Sequence, residues 1–269
     1  MTQHDLAGFR TATDLRAAIR AGAFTGHTAG LAQGRLQCNI AILPQAYALD
    51  FLRFCLRNPK PCPIVGVAET GDPMLRTLGP DIDIRTDLPR YNLYRAGRFS
   101  ESVTDICAYW SEDMVTVALG CSFTFERALM AAGLPMRHVE QDVTVPMYRT
   151  NLRLQPGGRF SGEMVVSMRP LSGGDIPRAV EISARYPLAH GAPVHVGDPA
   201  AIGIGSLDQP DWGDAVALRP GEVPVFWACG VTSQNALLEA GIPLVITHAP
   251  GHMLISDIDE HAELPIWAD

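Results

Sequence analysis

The sequence predicts an α/β protein with two parts. A main three-layer α/β domain with an internally duplicated strand-turn-helix unit is predicted over residues 1–142 and 188–269, and a small inserted two-layer α+β domain over residues 143–187. A chain of 269 residues can bury a sizeable core. Short apolar runs typical of strands alternate with amphipathic stretches typical of helices, and one strand-turn-helix pattern occurs twice.

The first elements surround a glycine-rich loop. Residues 13–21 and 44–56 have the apolar spacing of helices, and the apolar run at residues 36–43 predicts a strand between them. The segment GHTAGLAQG, residues 26–34, is punctuated by glycines and is therefore predicted to be a loop.

The repeat is the clearest feature of the chain. Residues 115–135 read VTVALGCSFTFERALMAAGLP and residues 223–243 read VPVFWACGVTSQNALLEAGIP, with nine identities in 21 ungapped positions. Each copy has an apolar run, a small-residue turn with a cysteine, a helical stretch and a Gly-x-Pro stop. Strand-turn-helix segments of unrelated origin could converge on this pattern, but duplication explains the matches better.

The segment between the copies has a different pattern. Residues 151–154 alternate in polarity, residues 156–158 read Pro-Gly-Gly, residues 164–168 form an apolar run and residues 176–186 have helical spacing. The segment is therefore predicted to be an antiparallel sheet with one helix, leaning over the mouth of a cleft in the main domain.

Charge and composition argue against several partners. A net charge of −8 would repel a phosphate backbone, so no nucleic-acid partner is expected. No apolar stretch reaches the roughly 18 residues of a membrane span, and residues 1–12 lack the features of a signal peptide. We therefore expect no membrane partner, a cytoplasmic location and six free cysteine thiols. A homo-oligomer is compatible with these features.

The cofactor expectations follow from missing motifs. Lys60, the only lysine, lies between two prolines, whereas pyridoxal phosphate and P-loop enzymes need a lysine held at the cofactor. The chain also lacks GxGxxG and HExxH. No pyridoxal phosphate, NAD or ATP is expected, while a divalent metal stays open.

The repeated turns predict an anion site. A turn from a strand into a helix exposes unpaired backbone N–H groups at the positive end of the helix dipole. The turns at residues 120–122 and 228–230 could face each other across a pseudo-twofold axis and hold a small dianion. Cys121 could be a nucleophile activated at the helix N-terminus, but a small buried cysteine is the favoured interpretation.

Several side chains could take part in chemistry. Glu126 could complement the dipole of its helix or act as an acid or base. His248 and His252 flank a Pro-Gly pair, so they lie in a loop, and a hydrogen-bonded loop or a role in proton transfer is favoured over a metal pair. Arg149 and Arg169 have apolar neighbours and each needs an anion, either a ligand or, for Arg169, an internal carboxylate.

The assembled motifs resemble those of the D-glutamate cyclase family. The resemblance runs nearly from end to end, and the motifs that carry it are GHTAGLAQGRLQCNIAILP, DIRTDLPRYNLYRAG, GCSFTFE, VPMYRTN, GEMVVSMRP, HGAPVHVGDP, WACGVTSQ and ITHAPGHMLISD. It implies a hydro-lyase that closes D-glutamate to 5-oxo-D-proline with loss of water, with a dicarboxylate or amino acid as its ligand.

The implied reaction suggests a role for each candidate residue. Proton transfer is assigned to Glu126, His248, His252 and Asp257. Substrate binding is assigned to Cys121, Ser122, Tyr148, Arg149, Thr150, Asn151, Arg169 and Thr232. Two other functions stay open: a metal-assisted hydratase or dehydratase of a small hydroxy acid, and a non-catalytic binding protein for oxoproline-like anions.

Overall fold

The computed structural model describes residues 11–262. The helices are α1 (Ala12–Arg20), α2 (Gln45–Arg57), α3 (Phe123–Ala131), α4 (Arg137–Glu140), α5 (Ile176–Ala184) and α6 (Val231–Glu239). The strands are β1 (Arg35–Pro44), β2 (Ile64–Val67), β3 (Tyr91–Arg95), β4 (Arg98–Val103), β5 (Met114–Gly120), β6 (Met147–Arg153), β7 (Glu163–Ser172), β8 (His195–Val196), β9 (Glu222–Ala228), β10 (Val245–His248) and β11 (Leu254–Asp259).

The strands form two sheets, and the predicted mixture of helices and sheets is confirmed. The larger sheet has the order β2-β5-β1-β10-β3-β4, with β11 also paired to β1, and the smaller sheet has the order β6-β7-β9-β8. The strand pairs of both sheets are antiparallel. None of the helices in the described part of the chain is long and apolar enough to cross a membrane.

The central strand β1 of the larger sheet is buried on both faces, which explains its nearly continuous apolar run. Ala41 and Leu43 face the core that contains residues of α2 and α6. Ile40 and Ile42 face the other core, where the cover is the irregular segment 75–88 and not a further layer of helices. This segment contains a Gly-Pro pair and three aspartates, which disfavour helix.

Both copies of the repeat are a strand, a turn and a helix, as predicted. The first is β5 followed by α3 and the second is β9 followed by α6, with Cys121 and Cys229 at equivalent turns. Gly133 and Gly241 follow the two helices with φ of 78° and 62°, a conformation that favours glycine and ends each helix in the same way.

The duplication extends well beyond the repeat seen in the sequence. Strands β2-β5-β1-β10 of the larger sheet correspond in order to β8-β9-β7-β6 of the smaller one. Cys38 of β1 lies opposite Gly120 of β5, and Val166 of β7 lies opposite Ala228 of β9, at equivalent positions of the two pairs. Strands β1 and β7 are each followed by a helix, α2 and α5. The smaller sheet is therefore a second copy of one part of the larger sheet.

The two copies exchange a strand. The chain that leaves α3 of the first copy forms β6, which pairs with β7 of the second copy. The chain that leaves α6 of the second copy forms β10, which pairs with β1 of the first copy. Each sheet is thus completed by a strand from the other copy.

This exchange bears on the predicted inserted domain. Residues 143–187 contain an antiparallel strand pair and one helix, as the sequence suggests. However, β7 is paired with β9 over residues 166–172, and β9 lies outside the segment. The predicted boundary at residue 187 therefore does not separate two sheets, because the segment contributes half of a sheet that the second repeat completes.

Candidate active site

The two repeated turns meet at Asn39 of β1. The buried Asn39 side chain donates from Nδ2 to the carbonyl oxygen of Gly120 at 2.7 Å. A Cβ atom placed on Gly230 would lie only 2.4 Å from the same nitrogen. The second turn can therefore approach the amide this closely only because residue 230 has no side chain. The sequence did not single out Asn39, because its position between the turns depends on long-range pairing.

In the second copy, an arginine makes the contact that corresponds to that of Asn39 in the first. By the register of the strands, Ser167 of β7 corresponds to Asn39, and Ser122 of the first turn corresponds to Gly230. Arg169 donates to the hydroxyl oxygens of Ser167 at 2.9 Å and of Ser122 at 3.3 Å. Each turn therefore lies against the central strand of the other copy.

The charge of Arg169 is paired inside the protein. Its Nε donates to Glu126 Oε1 at 3.1 Å, its Nη2 bonds to the same oxygen, and both residues are buried. Burial would raise the pKa of Glu126, but the charges of Arg169 and His138 outweigh it and lower the pKa to about 2. A carboxylate with this pKa is a poor proton acceptor at neutral pH. These contacts favour the internal-carboxylate alternative for Arg169 and a structural role for Glu126.

The two turn cysteines remain protonated at neutral pH. Burial raises the pKa of Cys121 to about 12 and that of Cys229 to about 11. Because the thiolate is the nucleophilic form, these values favour the small buried cysteine over a nucleophile.

A polar network beside Asn39 ties two loops to β1. Gln37, which shares a face of the strand with Asn39, donates from Nε2 to the carbonyl oxygens of Thr28 at 3.1 Å and Leu31 at 3.2 Å. The backbone N–H of Thr28 donates to the carbonyl oxygen of Gly251 at 2.8 Å. The glycine-rich loop at residues 26–34 therefore closes against the histidine loop next to the turns.

His248 holds the edge of β1. The backbone N–H of Ile40 donates to its Nδ1 at 3.1 Å, at a position where β1 has neither β10 nor β11 as a backbone partner. Burial lowers the pKa of His248 to about 4, so the ring is neutral and carries its proton on Nε2. These contacts give His248 a structural role at the site.

His252 lies in the same loop, and its ring contacts the backbone of Pro250 and of Thr25. Its Nδ1 is 2.8 Å from the carbonyl oxygen of Pro250, so this nitrogen carries a proton. Its ring centroid is 4.7 Å from that of His27 in an edge-on contact. Burial lowers the pKa of His252, the backbone contacts with Pro250 and Thr25 oppose this, and the nearby charges of His27 and Arg90 add to the lowering. His252 is therefore a neutral imidazole whose Nε2 can take up a proton.

Sequence reasoning missed His27 and Arg90. His27 is exposed, and Arg90 is half-buried with no carboxylate within salt-bridge distance among residues 11–262. Both residues lie within motifs that carry the family resemblance. The presence of a basic residue in such a motif could have marked each of them as a candidate for the site.

The candidate substrate-binding residues on β6 do not lie at the two repeated turns. The Tyr148 hydroxyl donates to the carbonyl oxygen of Leu207 and the Thr150 hydroxyl to that of Met164, each at 2.7 Å. Asn151 is exposed. The predicted strand at 151–154 begins earlier, at Met147, so these residues belong to a sheet.

Arg149 is exposed and has acidic neighbours, contrary to the burial that the sequence suggested. Its guanidinium lies 3.6 Å from the Asp211 carboxylate, 3.7 Å from that of Glu239, and 4.8 Å from the centre of the Trp212 ring. It points outward because the burial of β6 alternates at this position. Arg149 lines two surface cavities of about 380 and 370 Å³, and Asn39 lines neither.

Two further candidates make structural contacts. Asp257 of β11 accepts from Arg16 of α1 at 3.0 and 2.9 Å. The Thr232 hydroxyl donates to the carbonyl oxygen of Val165 at 3.1 Å and accepts from its N–H at 3.0 Å, so it fixes α6 to β7. Within residues 11–262 there is no group of three or more His, Cys, Asp or Glu residues arranged to hold a metal ion.

Comparisons with known proteins place this fold in a family. The sequence model of the D-glutamate cyclase family matches residues 115–257. A protein of Jannaschia sp. (strain CCS1) named "Putative hydro-lyase" is 65% identical over 256 residues, which cover 95% of this chain and 96% of the relative. A protein of the same name from Rubrobacter xylanophilus is 59% identical, with coverage of 91% and 95%.

A solved structure gives a much weaker likeness. A nitrogen repressor-like protein from Methanococcus jannaschii aligns with 89% of this chain at 11% identity and a TM-score of 0.38, which is too low to support any conclusion. The assignment depends instead on the family match and on the identity to relatives over nearly their full length. The chain therefore belongs to the D-glutamate cyclase family of hydro-lyases.

Proposed function

We propose that the protein closes D-glutamate to 5-oxo-D-proline with loss of water, at the junction of the two repeated turns. The observation that carries the proposal is the position of the Asn39 amide, which contacts both turns next to the loop of the neutral His252. Family membership supports the reaction class.

The reaction needs proton transfer within one substrate molecule. At neutral pH glutamate carries an ammonium and two carboxylates. Lactam formation joins the nitrogen to the carbon of the γ-carboxylate and breaks one carbon–oxygen bond of that group. Two ammonium protons must reach the departing oxygen, which leaves as water, so no net proton is taken up. Because ring closure is intramolecular, no ATP is needed.

His252 suits the proton transfer. Its lowered pKa keeps the ring neutral, and the contact between its Nδ1 and the Pro250 carbonyl leaves Nε2 as the basic nitrogen. The ring can accept a proton from the ammonium and return it to the departing oxygen.

The second turn suits the negative charge that develops on the γ-carboxyl oxygens. The first turn of α3 contains its own carboxylate, Glu126, whereas the first turn of α6 contains no acidic residue. The backbone N–H groups of Thr232 and Ser233 bond to the carbonyl oxygens of Cys229 and Gly230. The Asn39 amide, at the positive end of the α6 dipole, is therefore the donor proposed to stabilise the tetrahedral intermediate. Cys121, Cys229 and a bound cofactor have no part in this proposal.

The proposal is tested by incubating the purified protein with D- or L-glutamate and separating 5-oxoproline by chromatography. We expect oxoproline from D-glutamate, with and without a chelator. Turnover that requires an added divalent metal would favour a metal-assisted dehydratase, and tight oxoproline binding without turnover would favour a binding protein.

A further inference from the structure

We propose that Arg90 binds the α-carboxylate of the substrate while Asn39, beside the second turn, holds the γ-carboxylate. The identity of the ligand depends on the proposed function. The placement of Arg90 depends only on the strand register and on the contacts of its neighbours.

The register places Arg90 and Asn39 on one row of the larger sheet. The backbone N–H of Ala249 donates to the carbonyl oxygen of Arg90 at 2.9 Å and continues the pairing of β10 with β3. In the pairing of β10 with β1, Thr247 lies opposite Ala41. This register, continued two residues past the last backbone pair, would set Ala249 opposite Asn39. Side chains directly opposite each other on paired strands lie on the same face of a sheet, as do side chains two residues apart on one strand. Arg90, Ala249 and Asn39 therefore lie on the same face.

The distance across this row suits a small dicarboxylate. Two strand spacings separate β3 from β1, or about 10 Å. The backbone ladder between β1 and β10 ends at Ala41, and beyond it the His248 ring contacts the strand edge. The strands therefore diverge at this row. An extended arginine side chain together with a five-carbon dicarboxylate covers such a span, and the small side chain of Ala249 lies between the ends.

The charge of Arg90 points to an anionic ligand. The buried cations Arg16 and Arg169 pair with Asp81 and Asp257 and with Glu126, respectively. Arg90 is half-buried, yet among residues 11–262 no carboxylate lies within 4.0 Å of its guanidinium. A partly desolvated cation without a counterion is unfavourable unless a ligand supplies the anion. The guanidinium fork binds a carboxylate through two parallel hydrogen bonds.

The proposed base lies beside this cation. The charge of Arg90 acts on His252, together with burial and His27, in the direction that keeps the imidazole neutral. An α-carboxylate bound to Arg90 would therefore bring the adjacent ammonium near His252. A ligand held at both ends has its amine between the two carboxylates, where ring closure requires it.

The test measures binding and does not depend on turnover. Isothermal titration calorimetry with glutarate, which has two carboxylates and no amine, would compare the unaltered protein with Arg90→Gln and Arg90→Lys. Loss of a charged, bidentate contact predicts about ten- to a hundredfold weaker binding for Arg90→Gln. Arg90→Lys should fall between, because lysine keeps the charge without the fork. Arg185→Gln is the matched control, since Arg185 is exposed and its partner is Glu181.

A second measurement separates binding from a purely electrostatic effect. NMR titration of His252 should show a higher pKa in Arg90→Gln, because a neighbouring positive charge has been removed. Unchanged glutarate affinity in Arg90→Gln would overturn the proposal even if the His252 pKa rises, as would equal weakening in Arg185→Gln or no glutarate binding by the unaltered protein. If glutarate binding depends on Arg90 but no oxoproline forms from glutamate, the proposed reaction is rejected and the proposed anion site at Arg90 is kept.

Discussion

The carboxylate of Glu126 and the guanidinium of Arg169 form a buried ion pair that joins the two copies of the duplicated unit. Glu126 belongs to α3 of the first copy, and Arg169 belongs to β7 of the second. The guanidinium also lies 5.3 Å and 5.2 Å from the ring centroids of Phe125 and Trp227. The pair therefore fixes the position of one turn relative to the central strand of the other copy.

Removing one partner should destabilise the fold. Glu126→Gln leaves the Arg169 charge buried without a counterion, and breaking such a pair costs about 3–5 kcal/mol. Urea denaturation should show this loss. The matched control is Glu181→Gln, which removes an exposed carboxylate paired with Arg185 and should cost less than about 1 kcal/mol. Equal losses in the two variants would contradict the structural role of Glu126.

The same pair predicts an acid-dependent loss of stability. The pKa of Glu126 is lowered in the folded protein, from 4.5 to about 2. Its contribution is therefore fully present above pH 4.5 and is lost as the pH falls through that range towards 2. The difference in unfolding free energy between the unaltered protein and Glu126→Gln should shrink over this range. A difference that stays constant with pH would indicate that the pKa of Glu126 is not lowered.

The close approach of the second turn to Asn39 predicts a coupled pair of substitutions. Gly230→Ala would place a Cβ 2.4 Å from Asn39 Nδ2 and should both destabilise the protein and lower kcat/KM. Adding Asn39→Ala makes room for the methyl group and should restore stability without restoring activity. Gly174→Ala is the control, because the nearest atom to a Cβ there is 3.9 Å away. Additive effects on stability in the double variant would contradict the contact.

The role of His252 predicts a specific pH dependence. The pKa of His252 is lowered from 6.5, so kcat/KM should be constant near neutral pH and fall only when the ring is protonated below pH 6.5. His252→Gln should lower kcat by about a hundredfold or more at constant melting temperature. His261→Gln, which changes a histidine with a 63% exposed side chain, should leave kcat unchanged. A normal rate in His252→Gln would assign the proton transfer elsewhere.

Lys60 allows a test of the cofactor expectation. Burial lowers the pKa of the Lys60 side chain. The hydrogen bond that Lys60 makes involves its backbone, since its carbonyl oxygen is 2.9 Å from His190 Nδ1. Lys60→Ala should therefore keep its activity, and the unaltered protein should show no Schiff-base absorbance band. A band that disappears in Lys60→Ala would overturn the expectation.

The repeat was predictable from the sequence because its identities fall on strand, turn and helix positions that must keep their size. The wider duplication was not. When β1 and β7 are aligned by their sheet registers, they share only Leu43 and Leu171 as an identical pair in ten positions. Both strands need only be apolar enough to be buried. Their correspondence is therefore visible in the strand pairing of the two sheets and not in the identity of their residues.

The site was predictable only in part. Local physics indicated the two turns, because the first N–H groups of a helix have no partner four residues back. The prediction that these groups are unpaired was wrong for Thr232 and Ser233, which bond to carbonyl oxygens of their own turn. Asn39 and Gly230 are brought together by sheet pairing, which a single sequence does not specify. Arg149 was expected to be buried because of its apolar neighbours, yet alternate residues of a strand point to opposite faces, and Arg149 is on the exposed one.

The central claim is that ring closure takes place where Asn39 contacts both turns. D-Glutamate labelled with ¹³C at the γ-carboxyl would be incubated with the unaltered protein and with Asn39→Ala, and ¹³C NMR would follow the appearance of the lactam carbonyl. Loss of one oxyanion donor predicts a rate about a hundred- to a thousandfold lower in Asn39→Ala, with both proteins compared well below their melting temperatures. Equal rates in the two proteins, or no lactam from the unaltered protein, would contradict the account.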